Sequence, residues 1–466
     1  METNEPGMDG QKTDDESIRK SEELFAHTPV RRLFLRAAIP GAMGMLISSV
    51  YELADAILVG NFLGETAFAA INLAIPFVIV GFALGDLIGS GSAVPISISL
   101  GKGDYDHAND VFSYACVLNV ATGAIMGLAL FFGAPVIMAL MGASGELAAL
   151  ATTYLQVYAV FLPLTTIMYS VDNFMRISGH IRRSFLVNAF MAIFGTVLEI
   201  VLLGVFHLGV WAAALAYSLA MVVSIVIAFR PFIQGRMTLR FVRPTISFET
   251  TREIASFGMP VFLENAAGRI FSILMNMALL RLGGETAVSV YGIIMSVQAV
   301  ITMLIYGTVD ALQPAVGYNW GAHDLFRVKA IEIHCFAASA ALGILGFALT
   351  RLFPEQMVLV FLPNAGADFL ALATHALGLY AFSFLVKWFS FAAQTFMIAV
   401  GQIKLASFVS VAMVLVFPAA VLFALWPLGL DGLWLNSPVT HVLCAISSAL
   451  VLLRFRKTVR ERVERA

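Results

Sequence analysis

The residues of this chain that could do chemistry are ionisable side chains set inside stretches that are otherwise almost wholly apolar. Asp55 follows Tyr51 and Glu52 by four and three residues, so on a helix the three share one face. Glu199 interrupts a later run in the same half, and Glu264, Arg269, Asp310 and Lys387 interrupt runs in the second half. An ionisable group in hydrocarbon costs at least about 2.5–3.5 kcal/mol on insertion scales, which makes each a candidate for function. At 1.5 Å per residue, Asp55 lies about 28 Å along its helix and Glu199 about 24 Å along its own, placing both at one level in the outer half of a bilayer. No Lys or Arg of the first half stands at that level, so the pair suits reversible protonation near neutral pH. The other reading is that Asp55, Glu199 or Glu52 only hydrogen-bonds a neighbouring helix. Glu264, Asp310 and Lys387 fall roughly 12–18 Å from their cytoplasmic ends, where they could neutralise one another and leave Lys387 a tethered cation or a structural partner. Arg269 sits higher, either facing a cavity opposite Asp55 or, the favoured reading, salt-bridged within its own half. Asp172 precedes Arg176 by four residues, the spacing of an ordinary helical ion pair. Tyr51, Asp172 and Gln313 complete the candidates for a substrate cavity or a secondary charged tier.

These residues need apolar helices to hold them. The 466 residues are 59% hydrophobic and 12% charged with mean hydropathy +0.87, against a charged share of about 25% in soluble domains. Apolar runs of spanning length recur near 34–58, 67–97, 109–140, 150–176, 183–206 and 209–230, then near 254–281, 287–318, 328–352, 368–398, 403–426 and 430–453. The expectation is an all-α integral membrane protein of 12 transmembrane helices. Lys and Arg gather in alternate loops, from Arg31, Arg32 and Arg36 through Arg182 and Arg183 to Arg454, Arg456 and Lys457. By the positive-inside rule both termini are cytoplasmic, in a multi-pass protein of the cell (inner) membrane. Residues 1–30 are expected to be a disordered cytoplasmic tail, 231–253 a cytoplasmic linker that could hold a short interfacial helix from Ser247, and 454–466 a basic tail. Cys116, Cys335 and Cys444 lie far apart inside spans and read as packed thiols, not metal ligands.

The two sets of six spans are copies of each other. A shift of 220 residues lays Pro40 on Pro260, Gly64-Glu65-Thr66-Ala67 on Gly284-Glu285-Thr286-Ala287, Gly101 on Gly321 and Asp104 on Asp324. A shift of 222 lays Tyr158-Ala159 on Tyr380-Ala381, Phe174-Met175 on Phe396-Met397 and Gly179 on Gly401. Six spans separate equivalent points, so the repeat is parallel, with lobes at 31–230 and 254–453 that house a substrate between them and rock. Gly81, Gly85 and Gly89, and Gly123 with Gly127, have the spacing that lets helices approach closely.

Two stretches are specific in wording: Tyr51 to Gly60, YELADAILVG, and Ala311-Leu312-Gln313-Pro314-Ala315-Val316-Gly317-Tyr318-Asn319-Trp320-Gly321-Ala322. They resemble the multidrug and toxic compound extrusion (MATE) family, most closely its bacterial MepA-like branch, and the likeness runs from about Leu33 to Arg456. Phe174-Met175-Arg176-Ile177-Ser178-Gly179 is similar to the family's segment after the fourth helix. The resemblance implies two six-helix lobes in a V and export of drug-like, often cationic compounds in exchange for protons or Na⁺. It matches the family's acid on the first helix to Asp55 and its acid on the fifth to Glu199, one methylene longer than the usual Asp. Gly195 and Tyr217 stand where the family has an Asn and a Thr that supply oxygens to a cation site, which favours protons over Na⁺.

No G-x-x-x-x-G-K-[ST] loop, H-E-x-x-H pair or G-x-S-x-G elbow occurs, so neither an ATPase nor a membrane hydrolase has visible machinery. No cofactor and no nucleic acid is called for. The partners expected are small lipophilic cations and the bilayer, with the chain acting as a monomer. A flippase of lipid-linked sugars is the rival within transport; a receptor or passive channel would not need unpaired carboxylates.

Overall fold

A glycine with left-handed φ ends the first helix of each repeat. Gly64 (φ 79°, ψ −178°) interrupts an otherwise helical stretch from Val30 to Lys102, and Gly284 (φ 63°, ψ −161°) does the same between Phe248 and Asp310. A side chain bearing Cβ is strained there, which accounts for the glycine opening both copies of the Gly-Glu-Thr-Ala run. The computed structural model describes residues 18–363 and 365–463. Among them, ten helical segments are long and apolar enough to cross a membrane. One of the ten, Phe248–Gly321, is divided at Gly284, and a helix over residues 30–63 comes before the first. The described chain therefore holds the twelve long helices expected: α1 (30–63), α2 (Thr66–Lys102), α3 (Tyr105–Leu140), α4 (Gly145–Ile177), α5 (Ile181–Val205), α6 (Val210–Ile233), α7 (248–283), α8 (285–321), α9 (Leu325–Leu352), α10 (Ala367–Ala399), α11 (Ile403–Ala424) and α12 (Gly429–Val463). A short helix, Pro354–Phe361, follows α9.

Contacts divide the chain into two units. The first takes residues up to Gly258 together with Gly317–Leu325; the second takes Met259–Val316 and everything from Phe326. In the first unit, the spaced glycines Gly81, Gly85 and Gly89 of α2 and Gly123 and Gly127 of α3 face α4. A Cβ on Gly85 would come within 2.8 Å of the Thr166 carbonyl oxygen, one on Gly89 within 3.0 Å of the Ser170 nitrogen, and one on Gly123 within 2.7 Å of the Leu162 carbonyl oxygen. Gly127 packs on the carbonyl of Ala159, four residues before Pro163, whose missing N–H leaves that oxygen without its helical donor. The stripes are packing surfaces, as their spacing predicts. Gly101 and Gly321, equivalent in the repeat, likewise let backbones meet: a methyl on the first would overlap the Tyr318 carbonyl, and one on the second the Ile98 carbonyl.

Three segments differ from the sequence reading. Residues 18–27, assigned to a disordered tail, are helical and docked: Phe25 is 1% exposed, its ring lies 5.7 Å from that of Tyr318, and its carbonyl accepts a hydrogen bond from Asn319 Nδ2 at 3.0 Å. The stretch from Ser247 is not a separate interfacial helix, because Phe248 begins α7 directly with the Ser247 hydroxyl accepting from the Glu249 N–H. The linker is fastened to α3, where Asn109, Ser113 and Asp110 accept from the N–H groups of Arg240, Val242 and Thr245 at 2.8, 2.9 and 2.7 Å. At the other end of the chain α12 runs on to Val463, and Arg456 pairs with the buried Glu332 at 2.9 Å.

Candidate ion-coupling site

Tyr51 and Asp55 lie one turn apart on α1, and Gly195 and Glu199 one turn apart on α5. The fold brings the two turns together. Asp55 lies within hydrogen-bonding reach of Glu199, whose side chain is fully buried and whose two oxygens have no other donor. Two carboxylates are acceptors only, so a hydrogen bond between them exists when one carries a proton. Immediately after Glu199 the α-helix gives way to a π-helical turn over Ile200–Val205, a geometry found often at functional positions.

Aromatic rings form the surroundings. Tyr51 is stacked on Tyr217 of α6 with centroids 5.1 Å apart and planes 19° from parallel. Tyr217 meets Tyr158 at 6.2 Å, Tyr158 meets Tyr154 at 5.1 Å, and Phe82 of α2 closes the group edge-on against Tyr158 and Tyr217. The acids were legible as charges in apolar runs, but Tyr154, Tyr158 and Phe82 were not singled out for this role. A signal existed: tyrosine usually favours membrane interfaces over the middle of a span. The Glu52 side chain lies outside the described residues.

The second tier is different. Glu264 accepts from Gln394 Nε2 at 2.8 Å, and Lys387 donates to the Thr302 hydroxyl at 3.3 Å. No ion pair joins Glu264 to Lys387 among the described residues; their charges interact at longer range, and a neutral amide and a hydroxyl are their hydrogen-bond partners. Asp310 is half-buried beside the break in α8 at 311–312. Arg269 is exposed and forms no ion pair among the described residues, so the expected salt bridge in its own half is absent. Gln313 is buried and lines a small cavity with Glu332, Cys335 and Phe336, all within the second unit. Asp172 is spoken for by Arg176, by the Ser184 hydroxyl and by the Asn188 amide, which makes it structural and not a cavity residue.

The sequence pattern of the MatE family matches the chain twice, over residues 40–201 and again over 260–422, the second match opening 220 residues after the first. The chain belongs to the MatE family. It is thus a transporter and not an enzyme. Its relatives include the multidrug export protein MepA of Staphylococcus saprophyticus, 27% identical over 451 residues that cover 94% of this chain and 98% of the relative. MepA of Staphylococcus aureus is 25% identical over 460 residues with the same coverage. The fold matches a MATE crystal structure in the straight conformation (TM-score 0.88, 20% identity, 95% of this chain and 99% of the other). It also matches a multidrug-resistance MATE transporter in an outward-facing conformation (TM-score 0.85, 22% identity, 94% and 98%). In this MatE protein the two acids in contact and the aromatic group beside them all come from the first copy of the repeat.

Proposed function

We propose that this MatE protein exports lipophilic cations by secondary active antiport with protons, using Asp55 and Glu199 as the proton site. The observation that carries the reading is their contact in a buried setting where Glu199 has no donor but its partner carboxyl. Two such acids hold one proton between them readily, and release of that proton creates the negative charge that attracts a cation. A tenfold change in cation affinity needs only about 1.4 kcal/mol, less than a single buried charge can supply. Multidrug export by the MepA relatives supports the substrate class, as do the 20 Met and 37 Phe residues available to line a greasy cavity. The basic loops support a cell-membrane location with both termini cytoplasmic, and the repeat supports rocking of near-rigid lobes.

Purified protein in vesicles, loaded with a cationic dye and given a pH gradient without Na⁺, tests this directly. The expected result is gradient-driven dye movement that collapses with a protonophore. Transport that ignores the pH gradient and requires Na⁺ at constant pH defeats the proposal.

A further inference from the structure

The contact between Tyr51 and Gly195 lies one helical turn, about 5.4 Å, nearer the start of both helices than the contact between Asp55 and Glu199. It is tight. A Cβ on Gly195 would stand 3.1 Å from Tyr51 Cε2 and 3.3 Å from the Ala220 Cβ, so a larger side chain there presses on the Tyr51 ring, which must give way to admit it. Tyr217 covers the face of that ring, and Tyr158 and Phe82 pack against Tyr217 in turn. The carboxyl pair therefore rests on a floor of aromatic rings. Three of the four rings carry a phenol hydroxyl, and that of Tyr51 is buried without a hydrogen-bond partner.

A proton needs only the two carboxyls, because it is held by one covalent O–H bond and one hydrogen bond. A sodium ion must exchange its waters for several oxygen ligands, and in membrane transporters these come from side chains and carbonyls around the acid. One turn from the acids, the space beside Gly195 of α5 is taken by the Tyr51 ring and the Tyr217 ring stacked on it.

We propose that Gly195 and Tyr217 fix the ion specificity of this site: Gly195 makes room for the Tyr51 ring, Tyr217 pins it, and the resulting aromatic floor excludes Na⁺ from the Asp55–Glu199 pair. The inference rests on the proton-coupled reading above and assigns Gly195, Tyr51 and Tyr217 as positioning residues. It concerns which ion the pair rejects and how, independently of which drug is carried.

The test is equilibrium binding of radioactive Na⁺ to the full-length purified protein at fixed pH, with transport measured in parallel. Wild type is expected to show no saturable Na⁺ binding. The Gly195→Asn, Tyr217→Thr double variant, which removes the pin and sets an amide oxygen and a short hydroxyl where the glycine and the phenol ring stood, is expected to bind Na⁺ at least about tenfold more tightly than wild type. Should the asparagine disturb α5, Tyr217→Thr alone replaces the phenol ring with a short side chain whose hydroxyl sits on Cβ, and is expected to shift Na⁺ binding in the same direction. Tyr51→Phe keeps the ring, loses the hydroxyl and is expected to stay blind to Na⁺. Saturable Na⁺ binding by wild type, a folded Tyr217→Thr that binds none, or Na⁺ binding gained by Tyr51→Phe each overturns the floor. Failure of the proton reading shows separately, as wild-type transport that ignores the pH gradient.

Discussion

The two repeats place acids at intramembrane positions and treat them in opposite ways. In the first, Asp55 and Glu199 meet each other, and Glu199 has no other donor. In the second, Glu264 is held by the amide of Gln394, with Lys387 tied to the Thr302 hydroxyl. The difference teaches that burial alone does not make a switch. A carboxyl satisfied by a fixed neutral donor keeps its partner whether or not a substrate arrives, whereas two carboxyls in contact change their interaction each time a proton leaves. One fold, duplicated, carries two acids in contact in one copy and a settled polar contact in the other.

The largest effect that could break this contrast is expected from Asp55→Asn, which preserves shape but removes the shared proton. Gradient-driven export in vesicles should fall to the level of empty vesicles, at least about a hundredfold, equivalent to about 2.7 kcal/mol. Export retained at wild-type rates would place the switch elsewhere.

A second probe asks whether every acid of the first unit belongs to the switch. Asp172→Ala takes the carboxylate partner from Arg176, whose side chain is 10% exposed, and should lower unfolding free energy by about 3 kcal/mol. The folded fraction should retain its dependence on the pH gradient. Thermal unfolding in detergent, paired with transport per folded molecule, separates the two; a changed pH profile with unchanged stability would make Asp172 part of the coupling.

Gln394→Leu sharpens the contrast from the other side, since it takes the amide donor from Glu264. The expected loss is about 2 kcal/mol of stability for a buried acceptor left without its partner, read as a lower unfolding temperature. The smallest effect is expected from Glu264→Gln, which keeps size and polarity: transport should stay within about twofold of wild type, an amount equivalent to about 0.4 kcal/mol. A loss comparable to that of Asp55→Asn would make both repeats ion sites.

Much of the architecture was legible because hydrocarbon is an unforgiving solvent. Apolar runs of spanning length, basic loops and the repeated Gly-Glu-Thr-Ala run point to twelve helices, and Gly64 and Gly284 supply the physical reason for that run in their left-handed φ. Asp55 and Glu199 stood out for the same reason, as charges where charge is costly. The aromatic floor did not stand out, because Phe and Tyr are common in spans and stacking depends on which faces helices turn to one another. Gln394 and Thr302 carry no charge to draw notice. The link from Asp172 to Arg176 was readable at four residues, but its added bonds to Ser184 and Asn188 depend on how α4 and α5 come together.

The docking of residues 18–27 was hidden by distance along the chain, and that distance has a consequence for synthesis. Phe25 is anchored by Asn319, which is 294 positions later. At about 5–20 residues per second, translation needs about 15–60 s to reach that partner after the anchor is made. All of the first seven helices and most of α8 are polymerised in that interval while the amino-terminal segment lacks its seat. Its docking therefore cannot guide insertion of the first repeat and can occur only as a late step, after the ribosome has completed the tip of α8.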